Sequence, residues 1–189
     1  MNPSQQKAAL RQQQEALRDA LAPSTRAALS EALCARAMAQ QAFVTAELIH
    51  CFLPMRSELD LRPLIRAALA AGKRVATPIF KRDSAETPCA LIESLDPAAF
   101  VTTPFGLSRP KQIKLVDPLA IDIVYVPLLG FAREQGKWHR IGYGAGFYDT
   151  FLSRLAPHTL KIGVAFPVLR VAGIPVEAHD TPLDDVLIA

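Results

Sequence analysis

Ten residues, Arg140-Ile-Gly-Tyr-Gly-Ala-Gly-Phe-Tyr-Asp149, bring together a forked cation, three glycines, three aromatics and a carboxylate. Glycine lets successive backbone N–H groups converge on an anion, and a helix opening just after the turn adds a favourable dipole. Arg140 can hold two phosphate oxygens at once. A tight turn with Arg140 merely solvated would use the same residues, and glycine spacing alone does not separate the two readings. The pattern is neither a dinucleotide-binding fingerprint nor a P-loop, because no Gly-Lys-Ser/Thr follows. Elsewhere, Lys7 and Arg11 stand at i and i+4 and share one helix face. Such a pair can reach the phosphates of one nucleotide or simply face water. Glu58 stands in Leu-Pro-Met-Arg-Ser-Glu, and Glu177, His179, Asp180, Asp184 and Asp185 form an acidic tail.

The elements that must carry these residues follow from hydrophobic patterning. Residues 4–21 predict a helix with Leu10, Leu17 and Leu21 on one stripe, stopped by Pro23. Ser24 offers a cap for a second Ala/Leu-rich helix running to about Gln41. The apolar run 43–53 reads as a buried strand, although periodicity alone leaves a helical segment open. Asp60 can cap a helix over 61–72, with Pro63 in its first turn and Gly72 at its end. Residues 74–80 and 89–94 read as strands, so strand, helix and strand make a βαβ unit and imply a parallel sheet. The stretch 96–118, with Pro97, Pro104, Pro110 and Pro118, reads as a long irregular connection. Residues 121–129 give the clearest strand. A polar turn (132–140), the glycine cluster, a helix (147–155) and two strands (161–166 and 185–189) complete the pattern. The expected fold is α/β: a three-layer Rossmann-like sandwich with a mostly parallel central sheet flanked by helices, as a single domain over 1–189.

Composition limits the classes of function. Of 189 residues half are hydrophobic and 21% charged, which suits a globular core without staples. The net charge of +3 is weak for a nucleic-acid binder. Three unpaired cysteines, Cys34, Cys51 and Cys89, argue against a disulfide framework and suit a reducing compartment. No apolar run reaches the ~20 residues of a membrane span, and the polar start is unlike a signal peptide. A soluble, cytoplasmic monomer with no membrane or nucleic-acid partner is the expectation.

The segment 140–152 resembles the signature of the 5-formyltetrahydrofolate cyclo-ligase family, also called methenyltetrahydrofolate synthetases. Further segments fall in that family's order around it: Lys7 to Arg11, the stretch 53–60 carrying Glu58, residues 126–131, and residues 174–187, so the likeness spans 7–187. The resemblance implies ATP-dependent closure of 5-formyltetrahydrofolate to 5,10-methenyltetrahydrofolate. It assigns Lys7, Arg11, Arg140, Gly142, Gly144 and Gly146 to ATP. Leu53, Met55, Glu58, Tyr143 and Phe147 fall to the folate, and Asp149 and Asp180 to Mg²⁺, which needs few protein carboxylates beside water and phosphate oxygens. Helix capping by Asp149, a turn shaped by Asp180 and core packing of Phe147 are the structural alternatives. His179 reads as structural, and Trp138 is given no role.

This chain departs from the family pattern at Ala132, where an Asp is usual, at Leu169, near a usual Gln, and at Ser108-Arg109-Pro110. Its turn 132–139 is longer than usual. Two other classes of function stay in view. One is a nucleotide- or folate-binding relative without turnover, or one acting on a different formylated substrate. The other is RNA binding through Arg109, Lys111 and Lys114, which lacks interleaved aromatics.

Overall fold

The chain is seen as a computed structural model that describes residues 2–80, 86–103 and 106–189; Pro104 of the proline-rich connection lies outside them. Helix α1 (Pro3–Asp19) starts at Asn2, whose side chain accepts the Gln5 N–H at 2.9 Å while Gln5 accepts the Asn2 N–H at 3.1 Å. This reciprocal pairing satisfies two of the N–H groups a helix start leaves free. The expected leucine stripe faces the core only in part: Leu10 and Leu21 pack against it half-buried. Leu17 is 39% exposed, and the buried residues of α1 are Lys7, Gln14 and Arg18. With Arg11 they recur at i, i+4, i+7 and i+11, the helical period written in polar residues. Hydrogen-bonding groups from other segments, rather than apolar surface, meet that face.

Helix α2 (Pro23–Met38) begins at Pro23 itself, with Ala22 at the cap position and no side-chain cap, so Ser24 lies inside the helix instead of capping it. Proline suits the first turn because its missing N–H would have no partner there. The apolar run from Phe43 splits into a short helix, α3 (Gln41–Thr45), and β1 (Leu48–His50). Helix α4 (Arg62–Ala70) has Leu61 at its cap position. Asp60, one residue earlier, accepts the Arg62 N–H at 2.9 Å and pairs with the Arg62 guanidinium.

The central sheet has seven strands. With β2 (Arg74–Pro78), β3 (Cys89–Ile92), β6 (Leu115–Val116), β7 (Ile123–Pro127), β10 (Leu160–Ala165) and β11 (Asp185–Ile188), the order is β11-β10-β7-β1-β2-β3-β6. Strands β11, β10, β7, β1 and β2 run parallel, whereas β2–β3 and β3–β6 pair antiparallel. Strands β1 and β7 are buried along their length, as parallel strands covered on both faces must be. The unit β1–α4–β2 is the βαβ crossover the sequence implies. Sequence order runs outward from β1 to β2 on one side and from β7 to β10 on the other. The carboxyl ends of β1 and β7 therefore flank a topological switch point, where open α/β sheets hold their ligands. The proline-rich connection carries the small ribbon β4 (Phe100–Thr102) with β5 (Ser108–Pro110).

The polar stretch after β7 is not a simple turn. Strands β8 (Gly130–Glu134) and β9 (Lys137–Ile141) form an antiparallel hairpin closed by Gln135 and Gly136, both at positive φ. Trp138 lies inside it, with the guanidinium groups of Arg133 and Arg170 over its ring at 5.8 and 5.9 Å. Ala132 is buried in a small apolar cluster with Leu129, Ile141 and Ile174.

Leu48, fully buried on β1, and Leu115, 68% exposed on edge strand β6, give contrasting expectations. Leu48→Ala should lower the stability measured by urea unfolding by about 2–5 kcal/mol, through lost burial and the cavity left behind. Leu115→Ser should change it by no more than about 0.5 kcal/mol.

Candidate active site

A pocket of about 500 Å³ opens at the switch point, and all thirteen residues singled out from the sequence line it. Lys7 and Arg11 come from α1, while Leu53, Met55 and Glu58 come from the loop after β1. Arg140 stands on β9, and Gly142, Tyr143, Gly144 and Gly146 form the turn after it. Phe147 and Asp149 open α5 (Phe147–Leu152), and Asp180 stands in the loop before β11. Pro127, the last residue of β7, forms part of the floor.

The glycine turn is shaped by its own residues and held by α1. Gly144 and Gly146 have φ of +95° and +67°, conformations that only glycine adopts without strain. Arg11 donates from Nε to the Gly142 carbonyl at 2.8 Å, and a Cβ on Gly144 would stand 3.3 Å from Arg11 Cζ. Arg11 thus fixes the turn with one nitrogen and passes close beneath it. Gly146 is the cap residue of α5.

Three ion pairs join the cations to the carboxylates. Lys7 donates to Asp180 at 2.6 Å and to Glu177 at 2.8 Å. Arg140 donates to Asp149 at 2.8 Å and to the Thr181 carbonyl at 3.0 Å. The Thr181 N–H and hydroxyl in turn bond Asp149 Oδ1 and the Asp149 carbonyl, which fastens the acidic loop to α5. Burial works against ionisation of Asp180, but the Lys7 hydrogen bond, the Glu177 N–H and the nearby charges outweigh it and hold its carboxyl below the usual range. Burial likewise opposes the Lys7 charge, and Asp180 and Glu177 reverse the effect, leaving its pKa raised. His179 is not a structural residue in the core; its side chain is 69% exposed at the pocket, 3.8 Å from Asp180.

The other half of the pocket is apolar and aromatic. Phe147 packs against Phe80 at 4.4 Å and Tyr148 at 5.3 Å between ring centres, and Leu53 and Phe52 extend this wall. Behind it His50 lies 4.8 Å from the Phe151 ring, and complete burial pushes its pKa down to about 3, so the ring stays neutral. Glu58 is the carboxylate of this half. It accepts the Met55 N–H at 2.8 Å and the Tyr143 hydroxyl. Burial pushes its pKa up, with the Tyr143 hydroxyl, the Met55 N–H and the Arg18 charge acting against the rise.

The sequence reading missed Arg18, Thr181, Phe80 and Tyr148. Arg18 had a signal, since it continues the spacing of Lys7, Arg11 and Gln14; Thr181 and Phe80 had none. Among the departures, Leu169 is buried beside a small hollow that Arg18 and Glu58 also line, whereas Ala132 and Arg109 do not line the pocket. Residues 132–139 belong to the hairpin, which carries Arg140 into the site.

Replacing Asp180 with Asn should cost on the order of 1–3 kcal/mol near neutral pH, where Lys7 loses a charged partner. The folded-state pKa of Asp180 is depressed, so its contribution is present above the unfolded value and is lost as pH falls through the folded one. The stability gap between wild type and Asp180→Asn should therefore close in that acidic window, as read by urea titrations across pH. A gap independent of pH would mean that the Lys7 pair does not hold the carboxylate ionised.

The description that matches residues 3–189 is that of the 5-formyltetrahydrofolate cyclo-ligase family. The chain is 33% identical over 174 residues to the 5-formyltetrahydrofolate cyclo-ligase of Escherichia coli K12, covering 90% of this chain and 93% of that protein. It is 25% identical over 177 residues to the mouse enzyme of the same name, covering 89% and 86% of the two chains. Among solved structures it resembles 5,10-methenyltetrahydrofolate synthetase from Aquifex aeolicus with a TM-score of 0.78 at 29% identity, over 96% of this chain and 89% of that one. The fold is shared also with the synthetase of Mycoplasma pneumoniae, at a TM-score of 0.75 and 21% identity, over 96% and 97% of the chains. Sequence and fold agree over nearly the full length with the same group of proteins, and the chain belongs to the 5-formyltetrahydrofolate cyclo-ligase family.

Proposed function

We propose that this chain converts 5-formyltetrahydrofolate to 5,10-methenyltetrahydrofolate with consumption of MgATP and release of ADP and phosphate. The observation that carries the reading is the convergence of thirteen residues, scattered from Lys7 to Asp180, on one pocket at the switch point. Cations and a glycine turn make one side, and an apolar wall with a single carboxylate, Glu58, makes the other. That division suits a triphosphate lying beside a flat heterocycle.

In the reaction the formyl oxygen on N5 attacks the γ-phosphorus of ATP and ADP leaves. N10 then attacks the activated carbon and loses its proton, and the C–O bond breaks to release phosphate as the five-membered ring closes. The protein's part is to position and to neutralise, as in phosphoryl transfer generally. Lys7, Arg140 and the outer nitrogens of Arg11 meet phosphate oxygens, and the N–H groups of the Gly142–Gly146 turn add donors. Glu58 accepts paired donors from the amino-pyrimidine edge, while Leu53, Met55 and Phe147 flank the ring and Tyr143 closes over it.

Asp149 and Asp180 fit Mg²⁺ in chemistry and in place. Both line the pocket, and each commits one oxygen to protein donors while the other takes no hydrogen bond among the described residues. Asp149 and Asp180 would hold such an ion, which would supply positive charge against the charge that develops on the phosphates. Lys7 and Arg140, paired here with Glu177, Asp180 and Asp149, would be the cations that turn to phosphate when nucleotide binds.

Purified protein mixed with 5-formyltetrahydrofolate and MgATP should form a product with methenyl absorbance in the near ultraviolet, dependent on both ATP and Mg²⁺. ATP binding without product would overturn the catalytic reading in favour of a binding protein or a different formylated substrate. Arg140→Lys keeps one charge and loses the fork, and should lower kcat/KM for ATP by about 10²–10³. Glu58→Gln should raise the KM for folate by about 10–100-fold with little change in the KM for ATP, since it removes charged acceptors from the folate side alone.

A further inference from the structure

Arg18 is 2% exposed, among the most deeply buried side chains of the molecule, and it spends its donors on the pocket. Nη1 donates to the Tyr143 hydroxyl at 2.5 Å, and that hydroxyl donates to Glu58. Nε donates to Ser57 Oγ at 2.9 Å, and the Ser57 hydroxyl donates to Asp19. Nη2 lies 3.7 Å from Asp19 and 3.8 Å from Glu15. The guanidinium also stands over the Tyr143 ring, 5.7 Å from its centre. Its remaining surroundings are apolar, with Phe166 and Leu169 beside the small hollow it shares with Glu58. An apolar side chain would anchor α1 at this place without the cost of burying a charge. What an apolar side chain cannot do is hold Tyr143 and Ser57 from beneath.

We infer that Arg18 is a positioning residue for folate: its fork fixes Tyr143, and through it Glu58, in the orientation that receives the heterocycle's donors. This rests on the assignment of Glu58 to the folate. Tyr143 belongs to the glycine turn, so the same fork links the folate carboxylate to the phosphate cradle. The groups facing Glu58 are Arg18 from α1, Tyr143 from the turn and Tyr148 from α5. Glu15, Asp19 and Arg56 surround Arg18 in a second ring, with Arg56 3.4 Å from Glu15.

Charge and geometry can be separated by substitution. Arg18→Lys keeps the charge and loses the fork, so the KM and Kd for 5-formyltetrahydrofolate should rise about tenfold while the KM for ATP stays within about twofold. The acidic limb of kcat/KM for folate should stay near its wild-type position. Arg18→Gln also removes the charge that helps keep Glu58 ionised against burial, so that limb should move to higher pH. Tyr143→Phe breaks the same link while leaving the Arg18 charge and its Ser57 bond in place, at a side chain that is 40% exposed, and it carries the test should Arg18→Gln fail to fold. It should weaken folate and raise the limb as Arg18→Gln does. Wild-type protein that turns over folate while Arg18→Lys and Tyr143→Phe match it in folate KM and Kd would overturn the inference alone. Wild-type protein that neither binds nor converts folate, measured by calorimetry and by product absorbance, would remove the folate reading and this inference with it.

Discussion

The polar face of α1 is the constraint around which the site is arranged. A helix that buries Lys7, Gln14 and Arg18 is unfavourable against an apolar core, because a buried charge without partners costs far more than the packing returns. It becomes stable only where other segments present acceptors in register: Glu177 and Asp180 for Lys7, the Gly142 carbonyl for Arg11, and Ser57 and Tyr143 for Arg18. Those acceptors belong to the acidic loop, the glycine turn and the loop after β1, which are the segments that form the pocket. Docking α1 and assembling the pocket are therefore one event.

The sheet decides where that event takes place. Strands β1 and β7 leave the switch point in opposite directions of sequence, so the loops that follow them diverge and leave a crevice. The hairpin β8–β9 turns the chain back after β7 and delivers Arg140 and the glycine turn to the same crevice. The cations of the pocket thus come from hydrogen-bonded elements, and Leu53, Met55 and Glu58 come from a loop braced by α1. The reaction proposed above asks no side chain to act as a nucleophile.

Much of this was legible in the sequence, for physical reasons that differ from element to element. Switch strand β7 read clearly because a fully buried parallel strand is continuously apolar, as residues 121–129 are, whereas β1 was hidden in the apolar run 43–53 that it shares with α3. The glycine turn read clearly because positive φ at Gly144 and Gly146 restricts residue choice. The hairpin did not, because its exposed residues cluster at the tip, from Arg133 to Lys137, and read as a polar turn. Helix α1 was legible only in part: Leu10 and Leu21 pack against the core as their period implies, yet its most buried face is the polar one of Lys7, Gln14 and Arg18, which hydrophobicity alone does not reveal. Thr181 left no trace, since its role lies in backbone contacts that any residue could in part supply. Ser24 and Asp60 show how little a capping residue type determines a helix start by itself, because Pro23 can open a helix with no side-chain cap.

The clasp between Lys7 and Asp180 spans 173 residues of chain. During synthesis at about 5–20 residues per second, α1 would wait on the order of 10–35 s before that partner is made. A 17-residue helix is only marginally stable alone in water, so through that interval α1 is a fraying, hydrated segment. Its unmatched face is cationic and hydrogen-bonding, not greasy, so the wait carries little risk of misassociation. The sheet can grow outward from β1 in the meantime, and a nascent chain halted before Glu177 would hold α1 by Arg11 and Arg18 alone, without the acidic loop that receives Lys7. The last clasp of the first helix thus waits for one of the last segments of the chain.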